Sequence, residues 1–346
     1  MKCTDKKITA KQREIRLRKI RKTVFLLLFL IIILLSGALC LLLLRNAGKL
    51  KEPFVYDRSQ SIFGTDAKES SLLEKGIARE LCVGANNNPM DGIENQEGEA
   101  AGFFDIEKKE IPYAQNLHEK VSFGELNRLM TALVAYEQLD SEEIVTIDVE
   151  DVVQKSWGIS SGLSAGNMIT VQQLLNAVLV SSADDASYAL ARAAAGDRKS
   201  FVEQMNQKAY EIGMTNTQFA NITGAEDEDQ YTTVYDTYLL VNHLLKYPEL
   251  INTMGLSVCT MNASKQNGDL KQQVLNSDNP YVTGSLSVPK DVTVLGGKFK
   301  ASGSGNHTVL LVQNNYGDVF VLIVCRADSE KTMNTRIWEM LEKVNS

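Results

Sequence analysis

The chain has 346 residues, 44% of them hydrophobic, and a formal net charge of −7. That is enough for one large domain, or two small ones, plus extensions. The charge is unevenly placed: residues 1–23 carry +8 and the remainder −15, so an acidic body argues against a nucleic-acid partner.

Val24 to Leu44 is an uncharged run of 21 residues, almost all Leu, Ile, Val or Phe. At 1.5 Å per residue a helix over it would be about 31 Å long, enough to cross a hydrocarbon core. The cationic flank is N-terminal, so residues 1–23 are expected in the cytoplasm and the body outside, as a single-pass bacterial membrane protein. A cleaved signal peptide fits less well, because the run is too long and no A-x-A-like site ends it. A lipoprotein signal at Cys40 is also weak, since Leu39 precedes it and four leucines follow.

Residues 45–100 are polar and uneven, with turn-rich pieces around Asn86-Asn87-Asn88-Pro89, and read as a juxtamembrane stalk with one helix near Ser70–Leu81. From Ala101 the pattern changes. Gly102–Glu107 and Ile111–Gln115 read as two strands joined by a charged turn. Ser122 and Glu125 spell a capping box ahead of Leu126, Leu129, Met130, Leu133 and Val134 at helical spacing, which predicts a helix to about Leu139.

Glu143–Val153 reads as strand-like, and 158–166 as a glycine- and serine-rich loop. Thr170 and Gln173 open another capping box, with Leu174, Leu175 and Val178 on one face. Ala186–Ala195 is an alanine-rich helix. Phe201, Met205, Ala209 and Ile212 mark the next, stopped by Gly213, and a helix from Thr233 must end before Pro248. Thr293–Ala301, Thr308–Asn314 and Asp318–Ala327 are strands, with a hairpin turn at Asn314-Asn315-Tyr316-Gly317, and Lys331–Val344 is a closing helix. Strands, then helices, then strands and a helix make one α+β unit. Cys82, Cys259 and Cys325 are too scattered for a disulfide framework. His118, His243 and His307 have no metal-ligand spacing, so no metal or other cofactor is expected.

The helix after Ser122 resembles the nucleophile helix of the bacterial D-alanyl-D-alanine carboxypeptidases, the low-molecular-weight penicillin-binding proteins. Phe123 to Ala132 falls in register with that family's Pro-Ala-Ser-x-x-Lys-x-Met-Thr-Ala. Asp105 and Tyr113 fit the strand pair that leads into it. The loop 158–166 with Leu174-Leu175 is similar to the family's Gly-Ser-x-x-Gly segment, and Met205-Asn206 with Gly213–Asn221 to its Met-Asn…Leu-Gly-Met-x-x-Thr-x-Phe-x-Asn. The resemblance covers residues 101–346. It implies the serine β-lactamase/DD-peptidase fold, an antiparallel sheet with flanking helices and an inserted helical subdomain, here preceded by a transmembrane helix at 24–44.

The resemblance places the family's S-x-x-K on Glu125 and Arg128, its S-x-N on Ser182-Ala183-Asp184, and its K-T-G on Lys298-Phe299-Lys300. Asp185-Ala186 and Gly296-Gly297 support the second and third placements. Only Ser182 and Lys298 keep the family's residue. A Glu carboxylate is poorly suited to acyl transfer, Arg128 cannot serve as a base, Asp184 replaces an amide, Phe299 removes a hydroxyl, and Lys300 replaces a glycine. Ser287-Val288-Pro289-Lys290 spells S-x-x-K by chance. The expected reading is a membrane-anchored homologue without acyl transfer, whose cleft holds a charge network of two acids and three bases. Its expected partner is a peptidoglycan stem peptide or a cell-wall protein, with Lys298 available to a terminal carboxylate. Two alternatives stay open: an active D-Ala-D-Ala carboxypeptidase, and a signalling or structural ectodomain that docks a partner.

Overall fold

Strands β8 (Gly305–Asn314) and β9 (Val319–Ala327) are apolar almost throughout because both of their faces are covered. Val309, Leu311, Val321 and Ile323 face one core, and Leu310, Val312, Leu322 and Val324 face another. In this computed structural model the described residues are 80–345, except 123, 154–157, 266–267 and 303–304, with 18–19, 21–24 and 36 nearer the N-terminus. Residues 1–74 and 75–346 are separate compact units. Among the described residues no helix is long and apolar enough to cross a membrane. The predicted span 24–44 lies outside the described residues apart from Val24 and Ser36, as does most of the predicted helix at 70–81.

The larger sheet is antiparallel, in the order β2-β1-β9-β8-β7, with β1 at Ala100–Asp105, β2 at Glu110–Gln115 and β7 at Val292–Ser302. The last strand of the chain is its centre: Ala101 of β1 pairs with Val324 of β9. One face is closed by helix α7 (Glu330–Leu341), through Met333, Ile337, Met340 and Leu341. Each of these buried side chains contributes about 1.5–3 kcal/mol. The other face packs on α5 (Val234–Leu244) and α6 (Pro248–Met254), and the same core continues through α1 (Asn127–Gln138), α2 (Val171–Ser181), α3 (Asp184–Ala195) and α4 (Arg198–Glu211). Phe104 of β1 stacks on Tyr238 of α5, with ring centroids 4.3 Å apart.

A second antiparallel sheet has the order β3-β4-β5-β6: Ile144–Thr146, Asn167–Thr170, Val258–Lys265 and Leu270–Asn276. The hairpin β5–β6 is not foreseen in the sequence. Of the strand-like stretch 143–153, only Ile144–Thr146 pairs. Asp148 caps a 3-10 turn at Val149–Asp151 in a reciprocal capping box, which competes with the extended form.

Residues 81–99, read from sequence as the end of a stalk, pack on the domain. Cys82 and Ile93 are buried, the Asn88 and Ala114 backbones exchange hydrogen bonds, and Glu99 forms a buried 2.7 Å pair with Arg336.

Candidate functional site

The site lies where the start of α1, the α2–α3 corner and strand β7 meet. The capping box predicted at Ser122 does not form. Helix α1 begins at Asn127, its N-cap position is Leu126 in helical conformation, and no side chain caps it. Ser122 Oγ accepts a 3.4 Å hydrogen bond from the Gly124 N–H. Gly124 has φ +50°, and Gly224 presses on it so closely that a Cβ on Gly224 would lie 2.0 Å from Gly124 O. This left-handed start turns Glu125 away from the helix end and into the cleft.

There Glu125 Oε1 accepts from Lys300 Nζ at 2.5 Å, and its Oε2 lies 3.8 Å from Arg128 Nη1. Arg128 is one helical turn on, 3% exposed, and its Nη2 donates to Asp184 Oδ1 at 2.5 Å. Asp184 stands in the first turn of α3, where the helix dipole favours a carboxylate, and its Oδ2 accepts from Ile159 N–H at 2.9 Å. Gly158 leaves the space for that oxygen, since a Cβ there would lie 2.4 Å from it. Asp185 holds the same loop through Ser160 Oγ and the backbone and hydroxyl of Ser161.

Ser182 occupies the corner between α2 and α3 in left-handed conformation, φ 54° and ψ 38°. Its hydroxyl accepts from Lys298 Nζ at 2.5 Å and donates to Asp278. Lys298 Nζ also donates to Leu179 O at 3.2 Å and to the Asp278 carboxylate at 3.0 Å. Its side chain is fully buried, so its donors are already spent and no terminal carboxylate can reach them.

Lys298 and Lys300 are two apart on β7 and share a face, as strand periodicity requires. Phe299 therefore points the other way. It packs in the α7 core, with its ring centroid 6.2 Å from that of Tyr281. Its place among the substrate-binding residues is corrected: it is a core side chain.

The sequence brings together Glu125, Arg128, Ser182, Asp184, Lys298 and Lys300, and the structure adds Asp278. The expected inventory of two acids and three bases becomes three of each, an electrically balanced set. Asp278 carries no signal in the sequence, because it follows β6 in a turn and meets Lys298 only through the fold. Burial pushes the Glu125 carboxyl up, but Arg128, Lys300 and Lys298 outweigh it and hold it below the ordinary glutamate range. Nearby, His307 is buried on β8 with Nε2 unpartnered, and burial, with Lys300 and Arg326 adding repulsion, lowers its pKa to about 4.

Chemically, Glu125 and Arg128 form an ion pair one helical turn apart. Arg128 keeps its proton at any accessible pH. Ser182, whose hydroxyl lies beside the Lys298 amine, is fully buried. Among the described residues no group of three or more His, Cys, Asp or Glu side chains could hold a metal ion.

Comparison with known proteins follows the same lines. The D-alanyl-D-alanine carboxypeptidase family, Peptidase S11, matches residues 91–286. The chain is 30% identical over 162 residues to the D-alanyl-D-alanine carboxypeptidase DacF of Bacillus subtilis, covering 46% of this chain and 42% of that one. It is 29% identical over 182 residues to DacD of Escherichia coli, covering 49% and 47%. Thus the match spans less than half the length of these two relatives. The fold is similar to the Streptomyces K15 DD-transpeptidase, with TM-score 0.64, 20% identity, and 74% of this chain against 97% of that one. It is also similar to a D-alanyl-D-alanine carboxypeptidase of Mycobacterium tuberculosis, with TM-score 0.64, 18% identity, and 75% against 95%. The family match over residues 91–286 takes in α1, the α2–α3 corner and Asp278, and the chain belongs to the D-alanyl-D-alanine carboxypeptidase family.

Proposed function

We propose that this is a family member that has lost acyl transfer, held at the outer face of a bacterial cell membrane by residues 24–44. There it engages a peptidoglycan stem peptide or a cell-wall protein. One observation carries the loss of catalysis. The positions that the resemblance gives to nucleophile and base are Glu125 and Arg128, both buried and committed to Lys300 and Asp184. Neither offers a hydroxyl for acylation nor an amine that can shed its proton. A ligand carboxylate would meet Lys300, whose side chain is 30% exposed, rather than Lys298, which is fully buried. The membrane anchor rests on the length and apolar character of 24–44 and on the cationic flank before it.

A second reading, an active carboxypeptidase, is favoured by the 2.5 Å contact between Ser182 Oγ and Lys298 Nζ, a hydroxyl beside an amine. Covalent labelling of the full-length chain with a fluorescent penicillin separates the two, with an active family member as positive control. The expected outcome is a labelled control and an unlabelled chain. A label mapped to Ser182, or to any other single serine, overturns the proposal and identifies the nucleophile.

A further inference from the structure

Among the described residues, the strands of the second sheet present an outer face without a single charge, on a body that carries −15 beyond residue 23. Strand register defines that face. Thr260 pairs with Val274, Asn262 with Gln272, and Ser264 with Leu270. Across the sheet it continues through Met168 of β4 to Thr146 of β3. Its large apolar side chains stand in solvent: Leu270 is 78% exposed, Val274 61%, Ile144 58% and Val258 48%. Lys271, the one charge within β6, lies on the opposite face with its amine on Gly162 O.

β6 is also an edge. Among the described residues its backbone pairs with β5 and with no other strand. Natural edges are guarded by charges, proline, bulges or a covering loop; β6 has no proline and no charge on its outer face, and its one charge, Lys271, points inward and is held by Gly162 O.

We infer that β6 is a self-association edge, pairing antiparallel with β6 of a second copy about a two-fold axis through Gln273. In that register Gln272 stands opposite Val274 of the partner subunit, Leu270 opposite Asn276 of the partner subunit, and Lys271 opposite Leu275 of the partner subunit. No like charges meet. The occupant follows from charge. At a two-fold axis residues meet their own copies, and pairing along β6 brings no like charges together, so repulsion between the two acidic bodies is smallest at this contact. One seven-residue strand buries less than the roughly 1,200 Å² of a stable interface, so the dimer is weak and depends on concentration.

The test is light scattering of the full-length chain in detergent across a concentration series at low and high salt. Mass is expected to rise towards that of a dimer, and to rise further with salt as repulsion between the bodies is screened. Gln272→Lys/Val274→Lys places lysines opposite lysines at exposed positions and weakens association about tenfold or more. Gln272→Glu/Val274→Glu does the same, and an equimolar mixture of the two variants restores it as a heterodimer. Circular dichroism melts matching the wild type show that the variants fold. A wild-type chain that stays monomeric throughout, or a lysine variant that associates as well as wild type, overturns the inference. So does a monomer that binds neutral lipid vesicles through this face, which assigns the face to lipid.

Discussion

At the scale of single residues, the charged groups of the site are paired with one another. Arg128 is nearly fully buried, and its guanidinium is the link between α1 and α3 through Asp184. Removing one partner of such a pair strands the other charge. We expect Arg128→Met to cost about 3–5 kcal/mol in urea unfolding, and Arg128→Met/Asp184→Asn to recover a large part of that. A cost below about 1 kcal/mol for the single change means that the pair is solvated rather than structural.

His307 supplies a pH signature of its own. Its pKa is about 4 in the folded chain against 6.5 when unfolded, so the unfolded state binds the proton more readily. Its contribution is full above pH 6.5 and is lost as pH falls towards 4, up to about 3 kcal/mol. Melting temperature should fall over that window, and His307→Gln should flatten the fall. Glu125, also held low in the fold, adds a second loss at lower pH, below the ordinary range for a glutamate.

At the scale of elements, local chemistry reads well where it is locally decided. Thr170 is the N-cap of α2 and accepts from the Gln173 N–H, as predicted. Gln173 does not close the box; its Oε1 accepts from Asn262 N–H of β5 instead. Thr170→Ala should cost about 1 kcal/mol in thermal or chemical unfolding. The Ser122 box fails for a similar reason: Glu125 has a stronger partner in Lys300 than any backbone N–H could be.

Gly296 and Gly297, noted from sequence as the run before Lys298, have a packing cause. A Cβ on Gly297 would lie 2.1 Å from Val309 O, and one on Gly296 2.8 Å from Met254 Cβ of α6. Gly297→Ala should therefore shift β7 and with it both lysines, with a loss in unfolding free energy of about 2 kcal/mol or more. The hairpin β5–β6 escaped notice because its inward residues are small or mixed, Cys259, Met261 and Ala263. Their alternation with Thr, Asn and Ser is a faint signal until α2 covers it. Pro248, read as a stop for α5, also starts α6, since the first turn of a helix tolerates a missing N–H.

At the scale of the whole molecule, the sequence by itself determined the α+β class and most of the element order, and a family resemblance proposed Glu125, Arg128, Ser182, Asp184, Lys298 and Lys300 as one site. The class and the element order follow from periodicity and caps along the chain; the site follows from the resemblance alone. The sequence also supplied the uncharged run 24–44, on which the proposed anchor rests. Only the tertiary structure decided how the charges pair. Arg128 could have met Glu125 alone; it meets Asp184, 56 positions away, because α1 and α3 pack side by side. Lys298 could have stayed free for a ligand; Asp278 and Ser182 take it up inside the fold. Phe299 belongs to the core because a strand sends alternate residues to opposite faces, and only the register with β8 fixes which face is which. Residue type sets what a group can do, and contacts between residues distant in sequence set whether it is free to do it.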